Sequence, residues 1–283
     1  MDSLYKLDKT FRADLHCHSL YSDGSLSPEE LIDFAVEKGL QALSITDHDT
    51  VDAYARAIPY AKQKRLLLGT GVEFSCTYKK TSVHALGYDF SLQDAGLHEY
   101  CHRQQKKRMV RNQEILEKLR RLSIIIEEEE LIALHSSSAT LGRPHIAAVM
   151  QKKGYVHSTQ EAFDRYLGDR GCCFIPGEPF FVEEAASVVK KAGGKLFLAH
   201  PHLYSDSLFV KELLSLGFDG LECYYGRSPP RKEKQWLKIA ESQKLLVSGG
   251  SDFHGSAKPH VLLGSSFVLK ELFFAIFTNN LQE

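Results

Sequence analysis

The segment DLHCHSLYSDG, residues 14–24, places two histidines on either side of one cysteine and an aspartate five residues after the second histidine. In a β-strand, side chains two residues apart point to the same face, so His16 and His18 share a face and Cys17 points to the other. Imidazole and carboxylate groups brought together in this way are typical metal ligands. The segment therefore predicts a strand that ends at a metal site, with Asp23 as a further ligand.

Composition and charge set the broad class of protein. The chain has 283 residues, 43% of them hydrophobic, with 35 basic and 36 acidic residues, so no global charge draws it to nucleic acid or to an anionic membrane. Its six cysteines form no C-x-x-C pair, which is typical of reduced thiols in a cytoplasmic protein. We expect no signal peptide, no membrane span and no obligate protein partner.

Strands and helices alternate in both halves of the chain. SLSPEELIDFAVEKGL predicts a helix capped by Ser27, with Pro28 in its first position and Gly39 after its end. The apolar strands ALSIT, LLLGTGVEFS, TSVHALGYD, KLFLAH and LLVSGGSDFHG each carry or precede a residue of metal-binding type, and DGLECYY carries Glu222. Parallel strands with helical crossovers bring such ends to one rim, so we expect these side chains to converge.

The middle of the chain has a different pattern. Strand signals fade from about residue 92 to residue 180, and we interpret this span as a mostly helical insertion between two barrel segments, residues 1–91 and 181–283. The segment 98–122 predicts a long amphipathic helix rich in lysine and arginine. A solvated helix face is the favoured interpretation of these charges, because no aromatic residues alternate with them as a stacking platform for nucleic acid.

The candidate ligands indicate a metal site because there are many of them. Any one of them has an ordinary explanation as a turn residue, a helix cap or a solvated histidine, but such roles do not explain why all of them fall at strand ends. Nitrogen and oxygen ligands suit zinc, manganese or iron. The set exceeds what one ion needs and fits two or three ions, and it comprises His16, His18, Asp23, His48, Glu73, His84, His200, Asp252 and His254.

Several segments together resemble a known family. DLHCHSLYSDG, TDHDT, GVEFS, HALGY, AHP and GSDFHG resemble the signature segments of the polymerase and histidinol phosphatase (PHP) family of metal-dependent phosphoesterases. The resemblance covers roughly residues 11–90 and 183–267. GRPHIA, residues 142–147, resembles the branch that acts on nucleoside 3′,5′-bisphosphates and 5′-phosphorylated RNA ends. The resemblance implies an α/β fold, a distorted (β/α)7 TIM-like barrel, and a trinuclear metal site.

The resemblance also implies how the ligands divide among three ions. One ion would take His16, His18, Glu73 and Asp252, a second Glu73, His84 and His200, and a third Asp23, His48 and His254. Divalent ions activate water and neutralise charge on phosphoryl oxygens, so the expected reaction is attack of metal-activated hydroxide on phosphorus. Glu73 and His200 are assigned to catalysis with Asp49, for which orientation of a ligand is favoured over proton transfer.

Four residues are candidates for binding the substrate. Arg143 in GRPH is the first, because a guanidinium grips phosphate with two hydrogen bonds. His145 follows it on the same segment. His202 lies two residues after His200, and Arg227 follows the strand that carries Glu222.

The predicted activity is hydrolysis of phosphate esters of nucleotides, either 3′,5′-bisphosphates or the 5′-phosphorylated ends of short RNA. A histidinol-phosphate phosphatase is the alternative enzyme with the same metal cluster. An amidohydrolase also carries His-x-His on its first strand, but the SDG turn and TDHD fit that family poorly. A non-catalytic metal-binding accessory module is the alternative outside enzymes. The choice among phosphate esters, the native metal and the oligomeric state stay open.

Overall fold

The computed structural model of the chain describes residues 10–133, 140–204, 206–226 and 230–282. Within these residues the strands are β1 (Ala13–Cys17), β2 (Ala42–Ile45), β3 (Leu67–Gly69), β4 (Gly71–Tyr78), β5 (Thr81–Tyr88), β6 (Lys195–Leu198), β7 (Gly220–Tyr225), β8 (Leu246–Gly250) and β9 (Leu281–Gln282). The α-helices are α1 (Pro28–Glu37), α2 (Tyr54–Lys64), α3 (Ala95–Arg121), α4 (Glu128–Ile132), α5 (Arg143–Lys152), α6 (Thr159–Ala162), α7 (Val182–Lys191), α8 (Ser207–Leu214), α9 (Pro230–Gln243) and α10 (Lys270–Ile276).

Helix α1 begins and ends where local chemistry predicts. The side chain of Ser27 accepts a hydrogen bond from the backbone N–H of Glu30, and the Glu30 carboxylate accepts one from the backbone N–H of Ser27. Pro28 takes the first helical position. Gly39 follows the helix with φ of +69°, a conformation that glycine adopts without a steric penalty.

The strands form two sheets. One has the order β1-β2-β3-β9 and the other β4-β5-β6-β7-β8. Pairing is parallel between β1, β2 and β3 and between β6, β7 and β8, while β4, β5 and β6 pair antiparallel. Isolated bridges join the sheets at two places, between Cys17 and Phe253 and between His48 and Glu73.

The fold is a mixed α/β structure, as expected, but this strand pairing does not establish a regular (β/α)7 barrel. The departure starts between β4 and β5, where only Lys79 and Lys80 connect the strands and both have positive φ, +47° and +66°. A two-residue turn with positive φ at both positions makes a hairpin, so the strands pair antiparallel without a helical crossover. The turn residues are lysines, not the Asn-Gly type that announces such a hairpin in a sequence.

Three groups of apolar side chains organise the packing. The largest lies between the sheets and the surrounding helices, and it includes Leu97 and Tyr100 from the first turns of α3. Another contains Leu15 of β1 together with Phe273 of α10. A separate cluster contains Ile115 and Leu119 from the end of α3 together with α4, α5 and α6. The three-part division of the chain stays a prediction. Among the described residues, no helix combines the length and the apolar character needed to cross a bilayer.

Candidate active site

The nine predicted metal ligands meet around Glu73. This glutamate lies in β4 and is almost fully buried, with 1% of its surface exposed. Its Oε2 lies 3.3 Å from Nε2 of His16, 3.2 Å from Nε2 of His18 and 3.3 Å from Nδ1 of His48. Its Oε1 lies 2.9 Å from Nδ1 of His84 and 3.1 Å from Nε2 of His200. Each oxygen thus faces a separate group of imidazoles, which is the arrangement a bridging carboxylate needs.

Two aspartates complete the cluster. Oδ1 of Asp252 lies 3.5 Å from Nε2 of both His16 and His18. Oδ1 of Asp23 lies 3.3 Å from Nε2 of His254, and its Oδ2 lies 3.8 Å from Nε2 of His48.

Potential ligand atoms that all lie within 4.8 Å of one another form three groups: His18, Asp23, His48 and His254; His16, His18 and Asp252; and His48, Glu73 and His84. These groups overlap the three ligand sets implied by the family resemblance, with His18 and His48 shared between groups. The division of ligands among ions stays a prediction.

The donor atoms fit divalent metal ions. Nε2 of His16, Nε2 of His18 and Nδ1 of His48 are buried and make no hydrogen bond within the described residues. Buried polar atoms are normally satisfied. These three all point towards Glu73 Oε2, so a cation among them would satisfy every one. The nitrogen and oxygen donors match zinc, manganese or iron and disfavour calcium and magnesium, which prefer oxygen alone.

The pKa shifts of the cluster residues also indicate that the site stabilises positive charge. Burial opposes ionisation of Glu73, but His84, His16 and His48 outweigh it and hold the pKa of Glu73 well below its usual range. Burial likewise opposes the charged form of His16, yet the carboxylates of Glu222 and Glu73 raise the pKa of its imidazole well above the usual value. Ligating imidazoles must be neutral, so bound cations would replace this protonic charge.

Buried groups outside the cluster orient its ligands. Glu222 Oε1 accepts a hydrogen bond from His16 Nδ1 at 2.9 Å, and its Oε2 accepts one from the backbone N–H of His200 at 2.6 Å. Asp252 Oδ2 accepts hydrogen bonds from Tyr225 Oη at 3.0 Å and Lys258 Nζ at 2.9 Å. From the sequence, Glu222 is expected on its strand but has no assigned role. Lys258 is not identified from the sequence as a residue of the site.

Three residues of the site have unusual backbone conformations. Asp49, His200 and Asp252 have φ of +52°, +29° and +59°. Positive φ in a residue other than glycine costs on the order of 1–3 kcal/mol, and such strain concentrates at functional sites. Here it turns the chain sharply at the strand ends.

A cavity of about 140 Å³ opens beside the metal ligands. Its lining includes Asp23, His48 and His84 and also three arginines, namely Arg108 and Arg111 from α3 and Arg143 from α5. The interpretation of α3 as a solvated basic face misses this feature, because Arg108 is only 8% exposed. The helix presents one edge of its charged surface to the site.

The arginines differ in how they are neutralised. Arg108 forms an ion pair with Asp49 at 2.7 Å and donates a hydrogen bond to Ser75 Oγ at 2.6 Å. Burial lowers the pKa of Arg111 to about 9, and repulsion from Arg108 and Arg143 adds to the shift. Nε of Arg111 makes no hydrogen bond within the described residues. Arg143 forms an ion pair with Asp169 at 3.4 Å, so Arg111 is the arginine of the cavity wall without an ion pair among the described residues.

The predicted substrate-binding residues occupy different places. Arg143 lines the cavity and donates to the carbonyl of Leu167 at 3.1 Å. His145 also lines it, but its Nδ1 accepts from the backbone N–H of Gly142 at 3.0 Å and its Nε2 donates to the carbonyl of Ser22 at 2.9 Å. Both ring nitrogens thus fix the local backbone.

His202 lies away from the cavity. Its Nε2 donates to the carbonyl of Cys223 at 3.2 Å, and its ring stacks on Tyr225. Burial lowers the pKa of His202 to about 4. Arg227 lies outside the described residues. The role of each residue in substrate binding stays a prediction.

Comparison with known proteins agrees with this geometry. The model of the PHP domain matches residues 14–169, more than half of the chain. The chain is 31% identical over 250 residues to the 5′-3′ exoribonuclease Rnm of Escherichia coli, covering 85% of this chain and 84% of that protein. It is 28% identical over 253 residues to the 3′,5′-nucleoside bisphosphate phosphatase of Chromobacterium violaceum, covering 85% and 86%.

A solved structure has a similar fold. The crystal structure of a protein from Bifidobacterium adolescentis, provisionally assigned as a metal-dependent phosphoesterase, superposes with a TM-score of 0.85 at 27% identity and covers 96% of both chains. The domain model covers the segments that carry His16, His18, Asp23, His48, Glu73 and His84, and the matches to the relatives and to this structure extend over most of the chain. The chain therefore belongs to the PHP family.

Proposed function

We propose that this chain is a metal-dependent phosphoesterase that hydrolyses nucleotide phosphate esters, either nucleoside 3′,5′-bisphosphates or the 5′-phosphorylated ends of RNA. One observation carries the proposal: a single cavity is lined by candidate metal ligands and also by three arginines. Two relatives, an exoribonuclease and a bisphosphate phosphatase, act on nucleotides as their names state.

The two linings suit the two phosphates of such a substrate. The scissile phosphate would lie by Asp23, His48 and His84. A second phosphate would lie by Arg111 and Arg143, because planar guanidinium groups bind phosphate oxygens with paired, charge-assisted hydrogen bonds.

The cluster would hold up to three ions of manganese, zinc or iron, divided as the family resemblance implies. Such ions lower the pKa of water and neutralise charge on phosphoryl oxygens. The isolated bridge between Cys17 and Phe253 and that between His48 and Glu73 would complete a distorted barrel around them. A cytoplasmic location, consistent with the free thiols of the six cysteines, is part of the proposal.

The residues of the chain have separate tasks. Glu73 bridges the ligand groups, since each of its oxygens faces a different set of imidazoles. His200 adds a ligand atom beside His84, 3.2 Å from its Nδ1. Asp49 fixes Arg108 at the wall of the cavity and accepts the backbone N–H of Ser75 at 3.1 Å, so positioning is its favoured role.

The test is phosphate release with Mn²⁺ from 3′-phosphoadenosine 5′-phosphate, AMP, histidinol phosphate and a short 5′-phosphorylated RNA, with mononucleotide release followed for the RNA. We expect turnover of the bisphosphate, the RNA or both, and its loss in Glu73→Ala together with reduced metal content. Glu241→Ala, at an exposed position of α9, is the matched control and should behave as wild type.

Two results would contradict the proposal. Preference for histidinol phosphate would assign the sister activity to the same cluster. No turnover across the panel by protein shown to contain metal would favour the accessory module. A fully active, metal-loaded Glu73→Ala variant would refute the assignment of the site.

A further inference from the structure

A groove lies next to the cavity, on the other side of Arg111. It runs between α3 and the segment 175–178, encloses about 480 Å³, and is lined by Lys106, Lys107, Val110, Arg111, Glu114 and residues 175–178. Arg111 is common to the linings of the groove and the cavity. A ligand that contacts Arg111 in the cavity therefore has the groove as neighbouring space.

The sizes of the two spaces decide what each can hold. Sites for drug-sized ligands commonly measure about 300–1,000 Å³. The cavity, at about 140 Å³, is below this range, while the groove, at about 480 Å³, is within it. The cavity suits phosphate and part of a sugar, but a nucleotide carries a base as well.

We propose that the groove between α3 and residues 175–178 is the subsite for the nucleobase. The inference rests on the proposed function, because it assumes a nucleotide substrate with a phosphate near the arginines. It adds the location of the base and the residues that contact it.

The lining has the chemistry that a base requires. Val110 is 58% exposed, and Ile175 and Pro176 face it across the groove, so apolar surface is available to cover the faces of a planar ring. Arg111 adds a guanidinium plane, on which bases stack. Lys107 is engaged by Glu178 at 3.0 Å, which leaves Lys106 as the cation nearest to solvent.

The turn at Gly177 brings the segment 175–178 close to α3. Gly177 has φ of +70°, and a Cβ added there would lie 3.1 Å from Cδ of Arg111. A glycine therefore lets the loop pass close over the arginine side chain. No asparagine or glutamine is among the described residues that line the groove, so it lacks the side chains that pair with both polar atoms of an adenine edge. The proposal accordingly expects similar kcat/KM for adenine and uracil substrates.

The competing position for the base is inside the cavity against Phe163, which lines it. Phe163 offers an aromatic face, but the whole cavity must also accept the scissile phosphate. The two positions make opposite predictions for substitutions at Val110 and Phe163.

The experiment compares two substrates of the Mn²⁺-loaded full chain: adenosine 3′,5′-bisphosphate and an abasic ribose 3,5-bisphosphate analogue. For Val110→Asp we expect kcat/KM for the nucleotide to fall about tenfold, with that for the abasic analogue unchanged. The unchanged abasic activity also verifies that the variant folds and binds metal. The matched control is Met109→Asp, because Met109 is the neighbouring residue of α3, is 49% exposed and does not line the groove.

Three outcomes would overturn the inference. Equal losses on both substrates in Val110→Asp would indicate a general defect, and no loss on either would remove Val110 from the site. A selective loss of nucleotide turnover in Phe163→Ala, with Val110→Asp unaffected, would place the base in the cavity. If the wild type hydrolyses neither these two substrates nor a short 5′-phosphorylated RNA, the proposed function itself fails, and the base subsite falls with it.

Discussion

The carboxylate of Glu222 lies between two ligands of the metal cluster, 2.9 Å from Nδ1 of His16 and 2.6 Å from the backbone nitrogen of His200. In the neutral imidazole that a metal requires, Nδ1 of His16 donates to this carboxylate, so the lone pair is on Nε2, which faces Glu73 at 3.3 Å. A buried carboxylate behind a ligating histidine fixes the tautomer and raises the basicity of the ligand.

Replacing Glu222 with glutamine should weaken metal binding while preserving the fold. Gln keeps the size of the side chain but removes the negative charge that favours a strongly donating imidazole. We expect metal affinity to fall about 10- to 100-fold, with activity recovering at high Mn²⁺. Titration of metal-free protein by calorimetry measures the change, and Glu241→Gln serves as the exposed control. Unchanged affinity in Glu222→Gln would show that His16 needs no such support.

We expect Arg111 to lower the stability of the metal-free protein and to bind phosphate. Its side chain is half-buried, its buried Nε makes no hydrogen bond within the described residues, and burial lowers its pKa to about 9. An unpaired buried charge destabilises the fold, whereas an apolar side chain of similar length does not. Arg111→Met should therefore raise the Tm of the metal-free protein.

The same substitution should remove the stabilisation that phosphate gives. A ligand that binds only the folded state raises Tm, and the increase grows with the logarithm of its concentration relative to its Kd. Thermal melts with and without inorganic phosphate test both effects, and Arg121→Met, on an exposed part of α3, is the control. A lower Tm in Arg111→Met, or an undiminished phosphate effect, would contradict this view of the arginine.

The predicted metal ligands converge as expected, but Glu73 and His84 lie within β4 and β5 and not at strand ends, because these strands form a hairpin. For the other ligands, a short apolar strand followed by His or Asp is a local pattern that can be read from the sequence. The role of Glu222 cannot be predicted from local pattern. A carboxylate inside a buried strand carries no local sign of whether it binds metal, orients a ligand or pairs elsewhere, and only the approach of His16 and His200 decides.

The arginines of α3 are a second feature that the sequence alone does not predict. Cationic residues recur along this helix from Arg103 to Arg121, and several pair with carboxylates at the surface. The sequence indicates an amphipathic helix, but the face that packs on β4 depends on contacts with distant residues. Arg108 and Arg111 reach the cavity because Tyr100 and Cys101, earlier on the helix, are buried in the main core.

The ion pair of Asp49 with Arg108 distinguishes positioning from proton transfer. Asp49 is fully buried and Arg108 is 8% exposed, and breaking a buried pair typically costs about 3–5 kcal/mol. If Asp49 only positions Arg108, then Asp49→Asn and Arg108→Gln should lower kcat/KM by similar factors, and the double variant should be little worse than either. The pH–rate profile should keep its shape in all three.

A proton-transfer role for Asp49 would give a different pattern. Asp49→Asn alone would then remove one limb of the pH–rate profile, and Arg108→Gln would keep it. Circular dichroism and metal content, measured for each variant, separate loss of chemistry from loss of fold.

The stability of the metal-free protein should fall as pH rises from about 6.5 to 9. Burial opposes protonation of His18, but Asp252 and Glu73 outweigh it and raise its pKa to about 9. A folded-state pKa above the unfolded value near 6.5 means that the stabilisation is fully present below pH 6.5 and is lost through pH 9. A shift of this size corresponds to on the order of 3 kcal/mol for a single group. His48 and His254, whose pKa values burial lowers, are neutral in the folded state across this window, so their opposite contribution is confined to its lower end, where the unfolded histidines still lose protons.

Metal should remove this dependence, because ligating imidazoles are neutral and the bound cation supplies the charge instead. Thermal melts between pH 6.5 and 9 should show Tm falling for metal-free protein and holding steady in excess Mn²⁺, with proton release when metal is added at pH 7. The Glu73→Ala variant should lose part of the metal-free pH dependence, since it removes one of the two carboxylates that hold the proton on His18, while Asp252 remains. A flat Tm in metal-free wild type would mean that His18 is already neutral there and that the cluster is prepared for metal without protonic charge.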